Sequence, residues 1–93
     1  MNKLENIQSE NVTVINELGL HARPAGMIAR LANKAQHNVW MVKNGEKVDA
    51  SSIIDILSLS CFKDSKILLQ IDNPADIEIL NKIVELFNKG FKE

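Results

Sequence analysis

The sequence predicts an α+β fold in which helices pack on one face of a small sheet. Three observations carry this. Two alternating stretches, Val39 to Lys43 and Glu46 to Ala50, flank Asn44-Gly45, whose two residues both tolerate φ > 0 and so mark a tight hairpin. Two stretches with apolar residues at helical spacing follow Pro24 and Pro74, and proline suits the first turn of a helix. Strand-like segments precede the first of these helices and the second, so the order reads β-α-β-β-α-β-α once a short middle helix is added. Periodicity does not give the strand order.

A chain of 93 residues can bury one core without staples, and residues 1–93 are expected to form one domain, with 1–8 as a loose polar extension. There are no internal repeats, low-complexity tracts or linkers. Eleven Lys and Arg against twelve Asp and Glu leave no electrostatic case for binding nucleic acid or a membrane surface. No apolar run approaches membrane-spanning length, and the start is polar, unlike a signal peptide. Cys61, the single cysteine, cannot close an internal disulfide, so a cytoplasmic setting is expected, with Cys61 a structural, partly buried thiol.

In order, Asn11 to Ile15 alternates as a strand with Val12 and Val14 on one face, and Asn16 to Leu20 is the loop that follows. The first helix covers Pro24 to Ala35. Ala25, Ile28, Ala29, Ala32 and Ala35 form its core stripe, and Arg23, Met27, Arg30 and Lys34 the opposite one, which suits either a solvated face or a docking surface. His37 falls in the turn after it and reads as surface. In the hairpin Val39 and Met41 point inward, leaving Trp40 and Val42 on the other face, with Trp40 a cross-strand packing partner. Ser52 caps the short helix Ile53 to Leu59, with Asp55 completing a capping box. That helix is apolar nearly all round. Ile56 and Leu59 fit the core, so Ile53, Ile54 and Leu57 are candidates for an exposed contact patch. Lys66 to Asp72 is a strand with Ile67, Leu69 and Ile71 inward. Asn73-Pro74 opens the last helix, whose stripe runs Ile77, Leu80, Ile83, Val84, Phe87 and Phe91, with Gly90 as its stop.

The chemistry concentrates in Gly19-Leu20-His21-Ala22-Arg23-Pro24-Ala25. Pro24 puts His21 at or just before a helix N-terminus, where Ala22, Arg23 and Pro24 form the first turn. Free backbone N–H groups and the positive end of the helix dipole favour an anion there and disfavour a second proton on the imidazole. Arg23 adds a fork of donors matched to phosphate. Together they could hold a phosphoryl group on a ring nitrogen. A lone histidine near a helix start is also commonly a plain surface residue or cap, and the physics by itself leaves both readings open.

That string closely resembles the active-site segment of the HPr family, the histidine-containing phosphocarriers of the bacterial phosphoenolpyruvate:sugar phosphotransferase system. The likeness runs from about Glu10 to Lys89, and the stretch from Asn44 to Leu59 is similar to the family's second signature. The resemblance implies an open-faced β-sandwich: a four-stranded antiparallel sheet in the order 1-4-2-3 with three helices on one side. It implies that His21 carries phosphate on Nδ1, taking it from the phosphohistidine of enzyme I and passing it to the A-domain of a sugar-specific enzyme II, with Arg23 stabilising the phosphate. It further implies that Ser52 is the target of an ATP-dependent HPr kinase/phosphorylase, and that Ile53, Ile54 and Leu57, with Met27 and Arg30, meet the partners.

On this resemblance the chain is a monomeric carrier with a covalent phosphohistidine rather than a stand-alone enzyme, and it needs no metal and no cofactor. A nitrogen-regulatory carrier and a protein acting mainly through phospho-Ser52 are the alternatives. Three residues depart from the family pattern: Leu18 replaces a small polar residue near the histidine, Asp55 replaces Gly or Lys, and Ser60 replaces a common Gly.

Overall fold

The computed structural model describes residues 8–93; residues 1–7 of the loose extension expected at 1–8 lie outside them. Four strands, β1 (Gln8–Thr13), β2 (Val39–Lys43), β3 (Glu46–Asp49) and β4 (Lys66–Ile71), form one antiparallel sheet in the order β1-β4-β2-β3. Three helices, α1 (Ala22–Ala32), α2 (Ile53–Ser58) and α3 (Ile77–Asn88), cover one face. The expected class, order and open-faced layout all hold.

The register explains the layering. β4 lies between β1 and β2, pairing Gln8 with Ile71, Thr13 with Lys66 and Met41 with Leu69. Side chains alternate across a strand. Ile67, Leu69 and Ile71 of β4 and Val39 and Met41 of β2 are therefore buried under the helices, while Trp40, Val42, Leu68 and Gln70 are half-buried on the other face. Trp40 is a packing residue there: the Lys47 ammonium sits 4.8 Å from its ring centroid and its indole N–H donates to Asp72. Burying each Ile, Leu or Phe of the core contributes about 1.5–3 kcal/mol. α1 seats Ala25, Ile28, Ala29 and Ala32 in that core and α3 seats Leu80, Ile83 and Phe87. Phe91 extends the latter stripe, with its ring edge-on to Phe87 at 5.0 Å between centroids.

Several boundaries differ from expectation. β1 begins at Gln8, which belongs to the sheet and not to the extension, because its backbone pairs with β4 although Ser9, Glu10 and Asn11 are exposed and polar. β1 also stops at Thr13. Past it the ladder loosens to two bonds, Val14 N–H to the Ser65 carbonyl and Asp64 N–H to the Val14 carbonyl. α1 starts at Ala22 and ends at Ala32, so Pro24 is its third residue, still inside the turn whose N–H groups lack helical partners. Asn33 stops the helix by turning its side-chain amide back to the Ala29 carbonyl. Pro74–Asp76 forms a 3-10 turn ahead of α3, and buried Asp76 accepts the Gln36 and His37 N–H groups, both at 2.8 Å. The hairpin turn is as read, with φ of 51° at Asn44 and 84° at Gly45.

Candidate functional site

His21 is delivered to the surface by a tightly held loop. Leu20 is buried and its N–H donates to the Cys61 carbonyl at 2.9 Å. Gly19 passes so close to that carbonyl that a Cβ would lie 2.6 Å from it, and its φ of +69° is one that glycine adopts freely. The next residue, His21, is then the N-cap of α1, with extended backbone, and its carbonyl accepts the first helical bond from Ala25 at 3.0 Å. Its side chain does not cap the helix. Pro24 has no N–H to offer, so Ala22 and Arg23 are the first-turn donors left over, at the positive end of the helix.

The imidazole is oriented from a distant part of the chain. Nε2 of His21 lies 2.5 Å from Oε2 of Glu93, which also accepts from Nη2 of Arg23 at 3.2 Å. The other carboxylate oxygen accepts from the buried Asn16 amide at 3.1 Å. The His21 hydrogen bond, ahead of those from Asn16 and Arg23, holds the Glu93 carboxyl below the usual carboxylate range, against a smaller opposing effect of burial. An ionised carboxylate only accepts, so the ring proton sits on Nε2. In the neutral ring Nδ1 then carries the lone pair, and it has no partner among the described residues. Arg23 is tethered as well, donating to the Phe91 carbonyl at 2.7 Å and, through Nη1, to the Met27 sulfur at 3.1 Å.

The structure thus brings His21, Ala22, Arg23, Pro24 and Met27 together, while Arg30 stands exposed further along α1. α2 packs beside this helix, and the Ile53 side chain lies over Gly26, 3.8 Å from where a Cβ would stand. Ile53, Ile54 and Leu57 are exposed, whereas Ile56 and Leu59 are buried. Ser52 caps α2 by accepting the Asp55 N–H at 3.1 Å. The expected capping box is only half formed: the Ser52 N–H goes to the Asp49 carbonyl, not to the Asp55 carboxylate. Cys61 is buried, and burial raises its thiol above the ordinary range despite the nearby Lys43, so it is a poor nucleophile. His37 is exposed in the turn after α1. Among the described residues no cluster of three or more His, Cys, Asp or Glu side chains could hold a metal ion.

Sequence reasoning missed Glu93 and Asn16, which reach the site by folding, and it missed the exposure of two apolar residues, Leu18 and Phe62. Leu18 was visible only as a departure from a family pattern.

Comparison with known proteins adds the following. The family model described as "PTS HPr component phosphorylation site" matches residues 8–89. The phosphocarrier protein HPr of Cupriavidus necator is 35% identical over 83 residues, covering 89% of this chain and 93% of that protein. A crystal structure of HPr-C-His from Thermoanaerobacter tengcongensis superposes with a TM-score of 0.87 at 30% identity, covering 92% of this chain and 97% of that one. A structure described as an HPr dimer from the same organism is 32% identical with a TM-score of 0.73, covering 88% and 94%.

Proposed function

The chain belongs to the HPr family of phosphocarriers of the phosphotransferase system, and we propose that His21 is the residue that carries the phosphoryl group. One observation carries this reading: a histidine at a helix N-cap that leaves the first-turn amides uncapped, with Nε2 held by a carboxylate and Nδ1 bare. The donor in this reading is the phosphohistidine of enzyme I and the acceptor the A-domain of a sugar-specific enzyme II. The Nδ1 lone pair attacks phosphorus in line, and the bond to the donor nitrogen breaks. The Ala22 and Arg23 amides, the α1 dipole and the Arg23 guanidinium face the charge as it moves, which is how such transfers are stabilised without covalent help. We read residues 1–93 as one domain working as a cytoplasmic monomer.

The exposed Ile53, Ile54 and Leu57, beside α1 with its Met27 and Arg30, are the proposed contact patch for both partners. Ser52 borders that patch, which supports its reading as a regulatory phosphorylation site for HPr kinase/phosphorylase. A phosphate there adds about −1.5 to −2 charges. At a helix start that charge is tolerated by the fold, but it must be desolvated beside apolar docking residues.

The test is incubation with enzyme I and phosphoenolpyruvate followed by intact mass. The expected result is one acid-labile phosphoryl adduct on the unaltered protein and none on His21→Ala. A full adduct on His21→Ala overturns the assignment.

A further inference from the structure

Five of the eleven Lys and Arg residues gather along one trough of the helical layer, although the chain has a net charge of only −1. The trough runs between α1 and α3, where two cavities of about 210 and 270 Å³ share Met27 and Leu86 as their floor. Leu31 extends that floor and buried Phe91 closes one end, so the base is apolar. Arg30 and Lys34 stand along the α1 rim, and Lys82, Lys89 and Lys92 along the other. Glu85 is the acidic residue among the described ones that line it, and it is already paired with Lys89 at 2.8 Å. The side chains of Arg30, Lys34, Lys82 and Lys92 make no hydrogen bond or ion pair with any described residue. The trough adjoins the proposed transfer patch at Met27 and Arg30 but opens on the other side of α1. Toward α2 the helix turns Gly26, under Ile53, and its C-cap Asn33, which donates to the Ser51 carbonyl. Toward α3 it turns Met27 and Leu31.

We propose that this trough is a second docking surface, which takes an acidic amphipathic segment of a partner protein. The segment lays an apolar stripe on Met27, Leu31 and Leu86 and sets its carboxylates against the two basic rims. The rim cations have no internal partner to give up, and their shared sign repels a basic segment while steering an acidic one. An apolar floor between two helices suits a helix with apolar residues at i, i+3, i+4 and i+7. The flexible Met27 thioether lets that floor adapt to its occupant. Other polyanions match the charge but not the shape. Nucleic acid bases stack on exposed aromatic rings, and the Phe91 ring is buried. Membrane-bound helices lay a protruding apolar face into the lipid interface, whereas this apolar surface is recessed between two helices. The proposal does not depend on His21 being the carrier.

The test titrates ¹⁵N-labelled protein with a synthetic helix of about 18 residues, carrying Leu on one face and Glu and Gln elsewhere. A peptide of equal charge without leucine, a single-stranded oligonucleotide and anionic phospholipid vesicles are titrated beside it. The expected result is saturable binding of the Leu–Glu helix, with amide shifts at Met27, Leu31, Leu86 and Phe91. Its affinity should exceed that of the leucine-free peptide about tenfold, the scale of one or two buried apolar side chains. Lys34→Glu combined with Lys82→Glu, one exposed residue from each rim, is expected to weaken binding about tenfold. The same double variant should melt as the unaltered protein does and accept phosphate from enzyme I at a rate within about twofold of it. No binding of the Leu–Glu helix, equal affinity for the leucine-free peptide, or undiminished binding by the double variant overturns the proposal. Tighter binding of the oligonucleotide or the vesicles at the same residues overturns the choice of a protein segment. Slower phosphorylation of the double variant by enzyme I overturns the separation of this trough from the transfer patch.

Discussion

Two helices of this molecule pack against each other and are begun in opposite ways. At α2 the Ser52 hydroxyl accepts the Asp55 N–H at 3.1 Å, and at the 3-10 turn leading into α3 the Asn73 side chain does the same for Ala75 at 2.8 Å. At α1 the N-cap is His21, whose side chain turns away to Glu93. A missing cap costs about 1 kcal/mol. Two helix starts are therefore built for stability, and the third gives that up and keeps its first-turn amides available to an anion. The strain around it follows the same pattern. Apart from Asn44 in the hairpin turn, the non-glycine residues with positive φ among those described are Ser60, Asp64, Phe91 and Lys92. They lie on segments that meet the loop before His21: Gly19 against Cys61, Asp64 bonded to Val14, and Gly90 in contact with Ile15. Strain gathered at one place that tertiary packing must hold is a mark of functional sites.

The contrast can be broken most sharply at Arg23. It is half exposed but donates to the Phe91 carbonyl, so Arg23→Ala should cost about 1 kcal/mol of stability in a thermal melt. Phosphoryl transfer should slow far more, by a barrier increase of about 2.7–4 kcal/mol, as for loss of one donor to a developing oxyanion. Arg23→Lys should recover only part, since the planar fork is gone. A variant that melts early yet transfers at full rate would reverse the assignment.

Exchanging the two caps sharpens the comparison. His21→Ser should add about 1 kcal/mol of stability by capping α1 and abolish the phosphohistidine, whereas Ser52→Ala should cost about 1 kcal/mol and leave His21 phosphorylation near its normal rate. Denaturant melts and transfer assays on the same preparations check both. Equal behaviour of the two substitutions would remove the distinction.

A smaller effect is expected at Ser60, which follows α2 with φ of 53°. Ser60→Gly should relieve left-handed backbone strain and stabilise the fold by about 0.5–1 kcal/mol with transfer unchanged, read by the same melts.

The smallest expected effect is in acid. The Glu93 carboxyl titrates below its ordinary value of 4.5, with the His21 hydrogen bond the leading cause. A depressed carboxylate stabilises the folded state above its unfolded pKa, and the contribution is lost as pH falls through the folded one. The His21–Glu93 contact should therefore persist at pH 6 and dissolve only below about 4.5, which the ¹³C shift of the Glu93 carboxyl would track. Titration of that carboxyl above 4.5 would contradict it.

These features were not equally legible in the sequence. Asn44-Gly45, the alanine stripe of α1 as far as Ala32 and the alternation of β4 are local patterns, and each is realised, while Ala35 falls beyond the end of the helix. Gln8 to Glu10 escaped notice because β1 is an edge strand held there by backbone pairing while most of its side chains stay in solvent. The site divides the same way. His21, Arg23 and Pro24 occupy one short string, so their shared chemistry could be read directly. Glu93 lies 72 residues from His21 and arrives through left-handed Phe91 and Lys92, residue types that carry no signal for that conformation. The half-formed box at Ser52 was misjudged because Asp49, three residues upstream, presents its carbonyl to the N–H that Asp55 was expected to take.

Everything above turns on one atom, the bare Nδ1 of His21. The measurement that tests it most directly is the ¹⁵N and ³¹P spectrum of histidine-labelled protein after incubation with enzyme I and phosphoenolpyruvate. The expected result is a single phosphorus signal coupled to Nδ1 of His21, with the proton still on Nε2 beside Glu93. Phosphorus bonded to Nε2, to His37 or to a serine oxygen would contradict it.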